Sequence, residues 1–482
     1  MKRTLKLSFL FSTIIMAIIY FATFIYIYLY KTEVLAVAGE VTEAATMAGE
    51  TEMVGNTGTL GEPETVGETA FGDAATIEES VTAPGDDSEK LPNSADGTLT
   101  ADNEPLPTFE EYDITLMAIG DNLLHSGIIK TGMLEDGSLD YSFLFENIAG
   151  HLENADIKVI NQETIFAGNE LGFLGYPKFN SPIEVGDAIA AAGFNVVLHA
   201  TNHAADQGIK GINYCMSFWE KYSEILVTGI AGEEAEEETE YEIGDELLAD
   251  IPMLEIEGVK FAILNYTYGP NSETIGPSLR KHLNMLCNYN EKSGAIDFTT
   301  LNPKVIEDIR AAREEADIVI VFPHWGTEYK TTPSAYQTKF AQEMTEAGAD
   351  LIIGTHPHVP QPVEWIRADN GNRALCYYSL GNYVSLQKQT KCMLEGMAWV
   401  TFHVTEAGVA ISDADTGVIP LVCQYNSAFR LEDVYFLEDY TEEMAQRHGI
   451  RNYENGEVLH LEDLLKQSQE TFGNMVLDKR VR

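Results

Sequence analysis

Histidines, carboxylates and side-chain amides recur in this chain directly after short apolar runs, a mixture that suits a divalent transition metal. Imidazole nitrogen with carboxylate and carbonyl oxygen is the donor set of zinc, iron or manganese. Ile114–Ile119 is followed by Gly120-Asp121-Asn122-Leu123-Leu124-His125, and Ile157–Ile160 by Asn161-Gln162-Glu163. Val196–Leu198 runs into His199-Ala200-Thr201-Asn202-His203-Ala204-Ala205-Asp206-Gln207-Gly208. Ile318–Phe322 precedes Pro323-His324-Trp325-Gly326-Thr327-Glu328-Tyr329, and Leu351–Ile353 precedes Gly354-Thr355-His356-Pro357-His358, with Gln361 beyond. Leu375–Tyr378 precedes Ser379-Leu380-Gly381-Asn382-Tyr383. Two metals about 3.5–4 Å apart clamp an oxyanion and activate a bridging water, which calls for a carboxylate able to bridge them.

Taken singly, each fragment has an ordinary structural reading. A Gly-Asp after a strand is a turn signal. A His-x-His pair in an extended segment places both rings on one face, whether for packing or ligation. The set is more specific than its parts. Of 11 histidines, His125, His203, His324, His356 and His358 stand at strand ends beside carboxylates or amides. His151, His199, His282, His403, His448 and His460 are read as structural.

The elements that must position these residues are strands alternating with helices. Between the apolar runs, Pro182–Ala192, Ile209–Glu224, Pro303–Ala316 and Tyr336–Ala347 repeat apolar residues every three or four positions. That alternation predicts an α/β architecture, with ligands bound outside the carboxyl ends of the strands. Met397–Val404 and Val409–Ile411, with Gly408 between them, read as a hairpin. The acidic run Glu233–Glu242 reads as a solvated loop. Five scattered cysteines without a C-x-x-C pair support neither a zinc ribbon nor a dense disulfide framework, and leave room for one disulfide.

Lys2, Arg3 and Lys6 precede an uncharged, mostly apolar run from Leu7 to Tyr30. The run reaches the ~20 residues a membrane-spanning helix needs and exceeds the ~7–15 of a signal-peptide core. The basic flank keeps the N-terminus inside, so residues 1–31 predict a cytoplasmic N-terminus and single-pass anchor, with the ectodomain extracytoplasmic. A cleaved leader ending at Ala36-Val37-Ala38 is the alternative. Residues 32–110 are rich in Glu, Thr, Gly, Ala and Asp and lack apolar periodicity, which predicts a disordered acidic spacer. Residues 111–482 form the folded ectodomain. The net charge of −46 argues against nucleic acid as a partner and sets any polyanion the same repulsion unless cations intervene.

The segments 120–125, 161–163, 201–208, 324–329, 354–361 and 379–383, in this order, resemble the bacterial capsule-synthesis CapA, or poly-γ-glutamate synthesis (PGA-cap), family. The family is related to calcineurin-like metallophosphoesterases. The resemblance implies a sandwich of two mixed β-sheets flanked by helices around two divalent transition metals (Mn, Fe or Zn). It implies Asp121, His125, Glu163, Asn202, His324, His356 and His358 as metal ligands, Glu163 being the bridge. It implies His203 as the acid that protonates a leaving group, with Asp206 as its orienting carboxylate in place of a residue at Ala204. Asn161, Lys178, Glu328, Gln361 and Asn382 are then candidate substrate contacts. The phosphoesterase pattern has Asp-x-His at the first site, whereas His125 follows Asp121 by four residues, and Glu163 stands where Asp is usual. The expected function is a membrane-anchored CapA-like protein of capsule or poly-γ-glutamate-type polymer biosynthesis or export, with a metal-dependent phosphoester or amide hydrolase centre. A non-catalytic polymer-binding or synthase-partner scaffold, or a surface tether with a degenerate site, is the alternative. The anionic polymer, or its membrane synthase complex, is the expected partner.

Overall fold

The computed structural model describes residues 109–233, 251–454 and 456–480. The apolar run at 7–30, the acidic spacer before 109 and residues 234–250 of the acidic segment lie outside them. Among the described residues, no helix is long and apolar enough to cross a membrane.

The chain first lays down four parallel strands, β1 (Tyr112–Asp121), β2 (Ile157–Asn161), β3 (Val196–Leu198) and β4 (Leu226–Thr228). It then builds most of a second sheet: β5 (Met253–Ile256) and β6 (Val259–Thr267), then, after the small hairpin β7 (Cys287–Tyr289) and β8 (Ile296–Leu301), β9 (Ile318–His324), β10 (Leu351–Ile353), β11 (Gln361–Arg367) and β12 (Arg373–Ser379). The last strands, β13 (Leu394–Thr405), β14 (Gly408–Ile411), β15 (Gly417–Tyr425) and β16 (Leu431–Phe436), return to the first sheet. The sheet orders are β16-β15-β13-β1-β2-β3-β4, with β14 on β13, and β11-β12-β10-β9-β6-β5. Each sheet is mixed: β6, β9, β10 and β12 run parallel, with antiparallel β5 and β11 at the edges. β13 pairs antiparallel with β1, and with β14 it forms the expected hairpin.

Alternation along the second sheet explains why its strands read as unbroken apolar runs. Ile318, Ile320 and Phe322 of β9 join the core shared with the first sheet, as do Phe261 and Ile263 of β6. Val319 and Val321, with Ala262 and Leu264, face the other way onto helices Pro303–Glu315 and Ala335–Ala347. Both faces are therefore dry, the usual condition of parallel strands. Phe261 meets Phe402 of β13 edge-on at 5.1 Å, fastening one sheet to the other. The two helices start where their sequences dictate. Asn302 accepts from the Lys304 amide ahead of Pro303, and Ser334 with Gln337 closes a capping box; such caps contribute about 1 kcal/mol each. All five cysteines are buried thiols, so the disulfide left open by their number does not form.

Gly120 marks a close approach between the two sheets, and Gly354 a close approach of the β10 end to β12 within the second. A side chain at Gly120 would place its Cβ 2.1 Å from the Gly381 carbonyl oxygen, and one at Gly354 would stand 2.3 Å from that of Tyr378. Both obstacles are backbone and cannot step aside. Gly120→Ala is expected to lower stability by about 1–3 kcal/mol, the usual cost of overpacking, read from the denaturant midpoint of the purified chain.

Candidate metal centre

The carboxyl ends of six strands from two sheets meet at one point. Asp121 closes β1, Asn161 closes β2 with Glu163 two residues on, and Asn202 and His203 follow β3. From the second sheet, His324 closes β9, His356 and His358 follow β10, and Asn382 follows β12. Backbone contacts lock the two sets together: the Asp121 amide donates to Gly381 O at 3.0 Å, and Asn122 bridges to Val384. Buried Asn265 of β6 adds a clasp, accepting from the Ala200 amide and donating to Phe322 O.

At the centre lie two carboxylates. Asp121 and Glu163 are fully buried, and with His358 they present ligand atoms all within 4.8 Å of one another. Asp121 is held in place: Asn161 Nδ2 donates to Oδ1 at 2.8 Å, and the His356 amide to Oδ2 at 3.2 Å. Neither oxygen of Glu163 has any hydrogen-bond partner. Its Oε1 stands 3.9 Å from His324 Nε2, which itself lies 2.9 Å from Asn202 Oδ1. Its Oε2 stands 4.0 Å from His358 Nδ1, which lies 3.4 Å from Asp121 Oδ2. The two oxygens thus face two separate donor groups. His356 Nδ1 is a further buried atom without a partner. Buried carboxylate oxygens left bare are costly unless a cation completes them, so these residues fit a divalent metal.

Electrostatics agree. Burial, then the charge of Asp121, pushes the Glu163 carboxyl well above its usual range. Burial, then neighbouring histidines, pushes His324 and His356 well down, leaving neutral rings able to donate lone pairs. Burial also pulls His358 down, but Glu163 and Asp121 outweigh it and hold the imidazole up at about 9. Without metal, His358 is the counter-charge of the carboxylates. Behind Asp121, buried Glu395 accepts from the Gly120 amide at 2.7 Å, and burial pushes its carboxyl well up, so it adds no further negative charge.

His203 stands at the edge of this cluster. Its Nδ1 lies 2.7 Å from Asp206 Oδ2, and that oxygen also accepts from the Phe179 amide at 2.7 Å. With Nδ1–H turned to Asp206, Nε2 is the nitrogen left for other chemistry. The Phe179 ring packs edge-on against His203 at 4.6 Å and limits its swing.

The other expected site residues stand around the cluster in other roles, with His125 and Glu328 lining cavities beside it. His125 is not among the clustered ligand atoms. It precedes helix Ser126–Thr131, and its Nδ1 accepts from the Leu386 amide at 3.2 Å, while burial pushes the ring down to about 4. Gln361 is fully buried, accepting from Gln337 and donating to Lys330 O and Thr332 O, so its amide serves internal packing. Asn382 binds His358 from both ends, Oδ1 to Nδ1 at 2.9 Å and Nδ2 to the carbonyl at 3.2 Å. Asn161 likewise holds Asp121. Both amides orient metal-site residues instead of facing a cleft. Lys178 and Glu328 are exposed. Among the histidines read as structural, His199 accepts from the Trp219 indole at 2.9 Å, inside the core.

The geometry of the His356-Pro357-His358 segment differs from an extended strand. His356 has φ 96° and His358 has φ 58°. The rings converge because the backbone is turned into the left-handed region twice, not because alternate residues of a strand share a face. Three residues outside the expected set also shape the site. Thr355 Oγ1 meets His324 Nδ1 at 2.9 Å, leaving Nε2 to the centre. Asn271 Oδ1 accepts from Asn202 Nδ2 at 3.0 Å, which turns the Asn202 oxygen toward His324. Tyr268 lies over the histidines, its ring 4.6 Å from His356. Tyr268 and Asn271 follow β6, whose strand ending carries no histidine or acid as a sequence signal.

Fold and site together define an α/β protein with a buried Asp/Glu/His/Asn cradle suited to divalent metal. Residues 115–387 match the family described as "Bacterial capsule synthesis protein PGA_cap", and the chain belongs to that family. It is 28% identical over 332 residues to the capsule biosynthesis protein CapA of Bacillus anthracis, covering 67% of this chain and 71% of that protein. It is 30% identical over 217 residues to the PGA biosynthesis protein CapA of Bacillus subtilis, covering 45% of this chain and 48% of that one. A probable polyglutamine synthesis accessory protein of Mycobacterium tuberculosis is 26% identical over 157 residues, 30% of this chain and 38% of its own.

Two outcomes follow from the buried charges. Metal must displace the His358 proton, and any proton held by Glu163, so affinity for Mn²⁺ should rise at least about tenfold per pH unit as pH rises toward about 9, and level off above it. The His358 contribution to the metal-free fold runs the other way, complete below 6.5 and lost as pH rises through about 9. Titration calorimetry and thermal melts across this window check both. Glu163→Gln should abolish metal loading while stabilising the metal-free protein by on the order of 1 kcal/mol, through relief of an unpartnered buried carboxylate.

Proposed function

We propose that this chain is an accessory protein of capsule or poly-γ-glutamate-type surface polymer synthesis or export, and that its centre is a dinuclear hydrolase site of metallophosphoesterase type acting on a phosphoester or amide. The observation that carries the reading is Glu163. It is buried, unpartnered at both oxygens, and placed with Oε1 toward Asn202 and His324 and Oε2 toward His358 and Asp121. A carboxylate that faces two donor groups in this way is what a pair of metals requires of a bridge. His356 supplies a further buried donor beside His324.

Bound metals would supply a water acidic enough to attack at neutral pH and positive charge where an oxyanion develops. The rest falls to the chain's own side chains. Asp206 fixes the His203 ring with Nδ1 toward its own oxygen, which leaves Nε2 as the nitrogen from which a leaving atom would be protonated. Thr355 and Asn271 set the orientation of His324 and Asn202, and Asn161 and Asn382 that of Asp121 and His358.

The localisation and partners of this reading rest on the sequence. The apolar run at 7–30 anchors the chain in the cell membrane with residues 111–482 outside. The partner is the anionic polymer or its membrane synthase complex. The relatives' names, capsule and PGA biosynthesis among them, support that context.

Metal content of the purified chain, measured by mass spectrometry, tests the reading together with one variant. Near two equivalents are expected, and His203→Ala should keep them while losing about 10²–10⁴-fold in turnover on a phosphoester and amide panel. One equivalent would reduce the centre to a single-metal site. None after reconstitution would leave a scaffold, and unchanged turnover in His203→Ala would remove that residue's role.

A further inference from the structure

Beside the metal cradle lies a cavity of about 440 Å³ whose lining includes His356. That volume suits one small-molecule group. Its walls are aromatic: Tyr268, Phe298, Trp325, Tyr336 and Phe340. Tyr268 connects it to the centre, since the same ring lies 4.6 Å from His356 and 6.0 Å from Phe298. At the mouth, Phe298 and Tyr336 are 38% and 46% exposed, large rings held in water around an opening. Glu328 is the one carboxylate among the lining residues, and no lysine or arginine lines the cavity.

A second cavity of about 500 Å³ also includes Glu328, but its lining is different in kind. His125, Gln387, Lys388 and Gln389 give it amides and a cationic head. Tyr176, Tyr329 and Tyr453 line it as well, so the two cavities differ in the lysine and the run of amides, not in the presence of rings.

We propose that the aromatic cavity is the subsite for an uncharged ring carried by the substrate, and that it rejects a carboxylate-bearing segment. This rests on the reading of the cradle as a metal-dependent hydrolase site. Flat apolar walls gain from covering a ring face. An anionic group placed there would lose its hydration with only neutral hydroxyls, such as those of Ser334 and Tyr336, and no lysine or arginine to receive it, and would meet Glu328. A poly-γ-glutamate segment carries a carboxylate on each unit, so it does not fit this cavity. The bond cleaved then joins a neutral, ring-bearing group to the remainder of the molecule, and the polymer's own repeating backbone is not what occupies the cavity.

Three phosphonates that share one head group test this on the full chain loaded with Mn²⁺: methylphosphonate, benzylphosphonate and 4-(phosphonomethyl)benzoate. Benzylphosphonate should bind about tenfold more tightly than methylphosphonate, a difference of about 1.4 kcal/mol, and the added carboxylate should remove the gain. Phe298→Ala and Tyr336→Ala should each reduce the gain while leaving methylphosphonate affinity unchanged. Equal binding of all three would overturn the subsite and leave the metal centre standing. If no phosphonate binds, the metal reading fails, and the cavity is tested on the metal-free chain with benzyl alcohol and benzoate. Quenching of Trp325 fluorescence by the alcohol in preference to benzoate, absent in Trp325→Phe, would sustain the subsite; no such preference would remove it.

Discussion

Two carboxylates share one buried place with too few protons and donors between them. Left alone, Asp121 and Glu163 would repel one another and lose their hydration, a burden that proteins relieve by protonation, by pairing or by metal. The surrounding structure supports Asp121 with an amide and a backbone N–H and gives Glu163 nothing. It also keeps Glu395 from adding charge behind them. Burial leaves His324 and His356 neutral, and the carboxylates hold His358 protonated until a metal takes its place. The left-handed backbone at His356 and His358 belongs to the same arrangement: such conformations cost about 1–3 kcal/mol each and persist where the surroundings demand them.

The two sheets divide the labour. The first supplies acid and amide oxygens from parallel strand ends, and the second supplies imidazoles. Each sheet alone offers an incomplete donor set. Their common core, built from one face of β6 and β9 against β13 and its neighbours, therefore fixes the ligand distances as well as the stability of the fold. The glycine at 120 is a steric condition for that closeness, since its Cα faces the Gly381 carbonyl across the sheets.

Much of this was legible in the residues. The alternation of apolar runs with helical patterns marked the parallel strands, because buried parallel strands are apolar on both faces. Polar residues placed just after those runs marked the convergence of Asp121, Glu163, Asn202, His324, His356 and His358. Chemistry without a local signature was not legible. β11, β15 and β16 pair with strands close in sequence, but β11 and β16 have mixed patterns and Pro420 interrupts the apolar run of β15, so none carried a clear strand signal. Gln361, Asn382 and Asn161 carry the residue types of substrate contacts, yet their hydrogen bonds are internal, and only three-dimensional neighbours decide that. His125 sits close to Asp121 in sequence, but the turn after β1 directs its Nδ1 to the Leu386 amide. Tyr268 and Asn271 follow a strand whose ending held no titratable residue to draw attention.

The pairing of β1 with β13 joins Ile114 to Phe402 and Ala118 to Ala398. The strand that carries the first metal ligand is therefore flanked by one made near the end of synthesis. A growing chain can form β1, β2 and β3 early, yet Asp121 gains its proper setting only after Gly381 and Glu395 have emerged. Contacts between such distant segments form slowly, because a long loop must close before they reward it. Acquisition of metal should thus come last in maturation. A chain stalled before Glu395 would display scattered carboxylates and imidazoles with no competence to gather them.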